Sequence, residues 1–328
     1  MLSDNDLIRV QEVSQKMTRP VTLCVNLTGD QNIFETNLAN IARQLQGVSL
    51  ERIMIEEGGV SLFPGKPCLT LSNGEHSNIN YMVFPEGPEF PPFLDAIGWL
   101  GGASNPPVFP DNDKIKNLAT PRNILVFVAM GCPHCPETVK SVLTVANYSQ
   151  QINVSVIDAL NFPEISERYK IKSTPAIIIN EGLTLVGDIS VNDLARHLIV
   201  LDDDSSMTTI LLSMIQSGRA EDAAVLLCER ECPDAIVPIY LSKEFSRRMG
   251  ALLVMEEALD RNPAILDPIL DRLIDLLQSD DIGLRGDTAS LLGRIGSKSA
   301  VPGLERATDD PDPDVREAAR EALEKCRR

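Results

Sequence analysis

The segment that most constrains this chain is Cys132-Pro133-His134-Cys135, set between an apolar run at 124–129 and a helical pattern at 138–145. The run is continuous rather than alternating, as in a strand buried on both faces. Some forty residues after Cys135, Thr174-Pro175 leads into a second apolar run, 176–179. Strand, CxxC opening a helix, and a later Thr-Pro entering a strand define a local architecture before any other residue is considered.

The chemistry implied is disulfide exchange. The thiolate is the nucleophile, so the first cysteine needs a lowered pKa. A helix N-terminus favours negative charge, which assigns Cys132 the attacking role. His134 adds to that stabilisation if it carries charge or donates a hydrogen bond, and Pro133 shares the dipeptide between the sulfurs. Pro136 is tolerated in a first turn, where its missing N–H has no helical partner. Cys135, one turn in, resolves a mixed disulfide formed at Cys132. A cis Thr174–Pro175 bond would set backbone polar groups beside the sulfurs, where a substrate strand can pair. Half a zinc site and a structural bridge are the competing readings. No second CxxC lies at zinc-ribbon spacing, and the histidines are only His76, His134 and His197. The sequence calls for no cofactor and no metal.

Composition narrows the partners. The net charge is −17, with 21 acidic and 14 basic residues in 1–200 and 26 and 16 in 201–328. Both parts are negative, which argues against nucleic acid or an anionic membrane. No apolar run reaches the roughly 18 residues of a membrane span. Met1-Leu2-Ser3-Asp4-Asn5-Asp6 has neither the basic nor the apolar region of a signal peptide. Seven cysteines in 328 residues make no disulfide scaffold. The expected setting is cytoplasmic.

Residues 1–102 read as α/β: helix 4–17, strand 21–27, helix 33–45, strands 53–56, 68–71 and 79–84, and helix 90–100 closed by Gly101-Gly102. A proline-rich linker, 103–111, follows. Residues 112–201 repeat the pattern: helix 113–118, strand 124–129, the CPHC helix, strand 154–157, helix 163–169, strands 176–179 and 184–186, and helix 191–201. Gly131 through Thr138, GCPHCPET, matches Gly29 through Thr36, GDQNIFET, at an offset of 102, so Asp30 and Ile33 stand where the cysteines are. Thr174-Pro175-Ala176-Ile177 matches Lys66-Pro67-Cys68-Leu69 at 108. These matches point to a duplication.

After the polar linker 202–206 no strand signal remains. Residues 206–328 read as helices at 207–215, 220–229, 235–241, 245–259, 263–277, 284–295, 300–307 and 315–326. Asp280-Asp281-Ile282-Gly283-Leu284-Arg285 aligns with Pro311-Asp312-Pro313-Asp314-Val315-Arg316 at an offset of 31. Helix pairs with Asp/Pro-rich turns stack into an α-solenoid. The acidic turn 309–314 lacks calcium-loop spacing and reads as helix-start carboxylates. Cys24 and Cys68, on apolar strands, read as buried. Cys228 and Cys232 share a face if one helix runs through both, and read either as a second redox pair or partners of the CPHC site, or as small core residues. Cys326 reads as free or as part of a solenoid face.

With these residues in hand, the first 201 residues resemble the tandem thioredoxin-fold unit that opens the alkyl hydroperoxide reductase flavoprotein, and the related cytosolic protein disulfide oxidoreductases. Cys132-Pro133-His134-Cys135-Pro136, Gly87-Pro88-Glu89-Phe90 with Ala96 to Gly102, Pro163-Glu164, Tyr169 and Ser173-Thr174-Pro175 carry the resemblance. It implies two thioredoxin folds, the first without its cysteines. It also implies a carrier of electrons or disulfides between a reductase and a protein substrate. Expected partners are protein disulfides and a thioredoxin reductase-like flavoprotein or a peroxiredoxin. No flavin or nicotinamide fingerprint follows, and the C-terminal part resembles HEAT repeats instead. The acid that thioredoxin buries six positions before its first cysteine is Val126 here. The expected function is thiol–disulfide oxidoreductase, with the helical repeats holding a partner. The alternative is an interaction scaffold whose CPHC senses redox state.

Overall fold

The structure, a computed structural model, describes residues 2–29, 32–58, 63–75, 78–201 and 206–327. Asp30, His76 and residues 202–205 of the expected linker lie outside the described residues. The chain divides into two compact units, Met1–Asp204 and Ser205–Arg328.

The first unit runs α1 (Asp4–Lys16), β1 (Val21–Asn26), α2 (Ile33–Val48), β2 (Ile53–Glu57), β3 (Cys68–Ser72), β4 (Ile79–Met82), α3 (Phe90–Leu100), α4 (Asn112–Lys116), β5 (Arg122–Val128), α5 (Cys135–Tyr148), β6 (Ile152–Asp158), α6 (Pro163–Arg168), β7 (Ala176–Ile179), β8 (Leu183–Val186) and α7 (Val191–Val200). Side chains set the helix starts. Ser3 and Asp6 form a capping box on α1, and Asn32 and Ser190 accept the third backbone N–H of α2 and α7. Strand β1 alternates buried and half-buried residues, whereas β5 is buried almost throughout, as its unbroken apolar run requires.

Among the described residues the strands form one eight-stranded sheet in the order β2-β1-β3-β4-β6-β5-β7-β8. The second four strands repeat the order of the first four. Strands β4 and β6 join the halves as a parallel pair, Ile79 opposite Val154 through Met82 opposite Ile157. Because β6 is also parallel to β5, the C-terminal ends of β4, β6 and β5 lie side by side.

The offset of 102 survives in three dimensions. Helices α2 and α5 begin at Ile33 and Cys135. Gly29 and Gly131 both hold positive φ, +86° and +81°, a conformation a Cβ resists. The proline match at 108 is displaced by one residue. Leu69 pairs with Val25 and Ala176 with Phe127, so Leu69, not Cys68, is the counterpart of Ala176. A one-residue slip exchanges the two faces of a strand, which sequence similarity alone does not register.

One face of the sheet is sealed by a cluster of Cys68, Met82, Leu125, Phe127, Ile157 and Ile178 under Phe162, Ile165 and Tyr169, beside and on α6. Phe34, the second residue of α2, packs between Phe84 (centroids 4.5 Å apart, stacked) and Phe162 (5.2 Å, edge-on). The start of α2 is thereby tied to the end of the sheet where the CPHC loop lies.

The second unit contains α8 (Ser206–Gln216), α9 (Ala220–Glu229), α10 (Val237–Tyr240), α11 (Phe245–Arg261), α12 (Leu270–Asp275), α13 (Ile282–Ile295), α14 (Val301–Ala307) and α15 (Pro313–Cys326). The helix expected over 263–277 is broken. Turns and a 3-10 segment, Asp267–Ile269, precede α12. Pro268 cannot donate to a preceding carbonyl, and its ring clashes with the turn before it. The offset of 31 holds: Asp281 and Asp312 cap α13 and α15. Arg285 grips Asp310 through two hydrogen bonds of 2.7 and 2.9 Å, and both side chains are largely buried. The acidic turn thus serves as caps and ion-pair partners. Among the described residues no helix is long and apolar enough to cross a membrane.

Candidate active site

Cys132 and Cys135 form a disulfide with Cα atoms 5.5 Å apart. Helix α5 begins at Cys135, later than a helix opening at Cys132. Pro136 has no N–H to give the Cys132 carbonyl, and the chain first closes onto the helix with Thr138 N–H donating to His134 O at 3.3 Å. Cys132 sits in the turn before the helix, its N–H donating to Ala129 O at 3.1 Å. The disulfide nonetheless holds its sulfur against the first turn of α5.

The two sulfurs differ in exposure. Cys135 is fully buried and Cys132 is half-exposed. Pro133 and His134 are exposed, and His134 occupies the N-cap position without a side-chain capping bond. The Thr174–Pro175 bond is cis. Phe127 pairs with Ala176, so Pro175 falls beside Val128, four residues before Cys132. Thr174 is half-buried, and the Pro175 carbonyl accepts from Gly187 N–H at 2.9 Å. The six residues singled out from the sequence therefore gather at one end of the sheet.

The same end holds a cavity of about 550 Å³. Val83 and Phe84 after β4, Val128 to Cys132 at and beyond the end of β5, Asp158 at the end of β6, and residues 86–89 line it. Sequence reasoning missed Glu89. This residue is only 9% exposed, and its Oε2 has no hydrogen-bond partner. Burial pushes its carboxyl up to about 7. Position 126, before the CxxC, is a fully buried valine, and the buried acids lining the cavity are Asp158 at the end of β6 and Glu89 from the other half of the sheet. The available signal was a lone carboxylate inside an apolar, proline-rich stretch, Gly87-Pro88-Glu89-Phe90-Pro91-Pro92-Phe93.

The corresponding loop of the first half is tied differently. Glu35 is buried, and its carboxylate accepts from the backbone N–H groups of Thr28 and Gly29, both at 3.2 Å, and from the Thr28 hydroxyl. Ile33, counterpart of Cys135, is 80% exposed. A carboxylate clamp thus stands where the second half has its disulfide.

The remaining cysteines are placed elsewhere. Cys68 is buried, but Cys24 is half-exposed, and burial together with the nearby Glu56 carboxylate raises its pKa. Helix α9 stops at Glu229, with Glu231 in the left-handed conformation, so Cys228 and Cys232 do not share a helix face. Burial raises the pKa of both, which leaves them thiols near neutrality. Cys326 is buried and donates to Leu292 O at 3.5 Å.

Comparison with known proteins agrees with this geometry. Residues 122–199 match the family model of a thioredoxin domain, and residues 251–325 match that of HEAT repeats. The chain is a thioredoxin-like α/β region followed by a HEAT-like helical region. It is similar to the F subunit of alkyl hydroperoxide reductase in Pseudomonas aeruginosa, 21% identical over 238 residues. That match takes in 72% of this chain and 42% of the relative, so the chain spans less than half of that protein's length. Two solved structures share the fold of the first unit. The NTD_N/C domain of alkylhydroperoxide reductase AhpF from Enterococcus faecalis superposes with a TM-score of 0.54 at 20% identity, covering 60% of this chain and all of that one. A protein disulfide oxidoreductase from Aeropyrum pernix gives 0.53 at 18%, covering 62% and 94%.

Proposed function

We propose that this chain is a cytoplasmic thiol–disulfide oxidoreductase of the thioredoxin type. It passes electrons or disulfides through Cys132 and Cys135 between a flavoprotein reductase and protein disulfides, a peroxiredoxin among them. Its first unit holds two thioredoxin folds, residues 1–102 and 112–201, and residues 206–328 hold a partner. The repeated strand order supports the two folds. The observation that carries the function is the asymmetry of the two sulfurs, one half-exposed at a cavity and the other buried behind it.

The mechanism follows from that asymmetry. In the reduced protein the Cys132 thiolate attacks a substrate disulfide and forms a mixed disulfide. The substrate sulfur that leaves takes up a proton. Cys135 then loses its proton and attacks the Cys132 sulfur, releasing the second substrate thiol and restoring the Cys132–Cys135 disulfide. Two electrons pass from protein to substrate. Thr174 and Pro175 border the approach to Cys132, and Pro133 and His134 form its outer rim.

Turnover of insulin disulfides with a dithiol reductant tests the reading. Many turnovers per protein are expected. A slow, stoichiometric response that instead alters partner binding would mark a redox-sensing scaffold.

A further inference from the structure

The four most exposed large apolar side chains among the described residues are Met130 (82%), Ile33 and Val108 (80% each) and Leu160 (72%). All but Val108 stand at the CPHC end of the sheet. Met130 lies two residues before Cys132 and lines the same cavity. Leu160 follows β6, its N–H donating at 2.9 Å to Asp158, which also lines that cavity. Ile33 opens α2, and its neighbour Phe34 packs between Phe84 of the cavity wall and Phe162, two residues after Leu160. One exposed aliphatic side chain is ordinary. Three, from three separate segments around one reactive sulfur, are a surface. Ile33 is the most telling of them, because its counterpart Cys135 is fully buried. The first half turns outward a position that the second half encloses.

The exchange chemistry specifies what covers this ground. A mixed disulfide at Cys132 lays the residues that flank the substrate's cysteine over the surface around it. Exposed aliphatic side chains gain when an apolar partner removes them from water. Charge argues against a small anionic disulfide in that place. Asp6, Glu86, Glu89 and Asp158 line the cavity and no Lys, Arg or His does, so the carboxylates of glutathione disulfide meet no counter-charge there.

We propose that Ile33, Met130 and Leu160 form an apolar docking surface for the segment of a substrate protein that flanks its disulfide cysteine. The preferred substrates are protein disulfides with aliphatic residues beside the bridge. The half without a CxxC takes part in recognition through Ile33. The proposal rests on the exchange reading above and names its substrate class, with the same bonds made and broken.

The test uses the full chain, reduced with dithiothreitol and freed of excess. Its single-turnover oxidation is followed against concentration for two cystine-bridged peptide dimers that differ only in Leu or Ser on both sides of the cysteine. Glutathione disulfide and 2-hydroxyethyl disulfide are run beside them, and each rate is divided by that with free dithiothreitol. The normalised Leu-to-Ser ratio should be about tenfold, with glutathione disulfide below both peptides. Ile33→Ser should raise the half-saturating concentration of the Leu peptide about fivefold, as expected when one half-covered aliphatic side chain is lost. Leu160→Ser should act in the same direction, and it serves if Ile33→Ser does not fold. A wild-type ratio near unity, a ratio unmoved by the substitution, or glutathione disulfide as the fastest substrate overturns the proposal. Equal slowing of the limiting rate for every disulfide marks a structural effect and overturns it too. So does a wild-type dimer on a sizing column that Ile33→Ser dissolves, which makes this face an interface between copies. Failure to react even with 2-hydroxyethyl disulfide would instead remove the exchange function itself.

Discussion

Cys132 and Cys135 share one disulfide yet meet different surroundings, and each role follows from exposure. In the reduced protein, iodoacetamide near neutral pH should label Cys132 first, as peptide mass mapping would show. Cys132→Ser should abolish insulin reduction. Cys135→Ser should accumulate mixed disulfides that separate on non-reducing gels, because the resolving thiol is gone. Preferential labelling of Cys135 would reverse the assignment. Glu89 gives a second residue-scale prediction. Burial pushes its carboxyl from its ordinary 4.5 up to about 7 in the folded chain. Between those values the folded chain holds a proton that the unfolded chain has lost, so stability falls as pH rises through that window. Glu89→Gln removes that loss. Relative to wild type it should gain on the order of 3 kcal/mol between pH 4.5 and pH 8, read from urea midpoints. The nucleophile was legible in the sequence because a CxxC is a local signal. Glu89 was not, because it reaches the site only when β4 and β6 pair across 74 residues of chain, as Asn80 Nδ2 to Val154 O shows.

At the scale of elements, extents followed from caps and apolar runs. Ser3, Asn32, Ser190, Asp281 and Asp312 each mark a helix start where a side-chain oxygen takes an orphan N–H. The expectation over 263–277 failed where Pro268 overrode an apolar periodicity. The proline match between the two halves slipped by a residue because register is fixed by pairing across the sheet. Strand β7 is placed by β5 and β3 by β1, and neither partner is adjacent in sequence. In the second unit, Arg285 joins the start of α13 to the turn before α15. Asp310→Ala leaves its guanidinium with the Ser279 carbonyl alone among these contacts. It should lower stability by roughly 2 kcal/mol, seen as an earlier urea transition in far-UV circular dichroism, with Asp312→Ala costing about 1. A midpoint unchanged by Asp310→Ala would mean that the ion pair contributes nothing to holding these helices.

For the whole molecule, the proposed function divides between the two compact units. The residues proposed for exchange, Cys132, Pro133, His134, Cys135, Thr174 and Pro175, all belong to Met1–Asp204. A chain ending at Leu201 should stay folded and reduce a small generic disulfide within about twofold of the full protein. It should lose the partner proposed for the helical unit. If the shortened chain is folded by circular dichroism yet inactive, the helical unit takes part in the chemistry.

The parallel joint between β4 and β6 has one more consequence. It consumes a strand edge from each half, leaving β2 and the four-residue β8 as the sheet's only open borders among the described residues. Cutting the chain at the linker before Asn112 would strip β4 from β6 and bare the backbone donors and acceptors of Ile152–Asp158, a strand whose side chains are almost all buried. Such a border is a template for a second chain. The half that bears both cysteines would then tend to self-associate, visible as early elution on a sizing column. The half without a CxxC thus covers an edge that would otherwise invite aggregation.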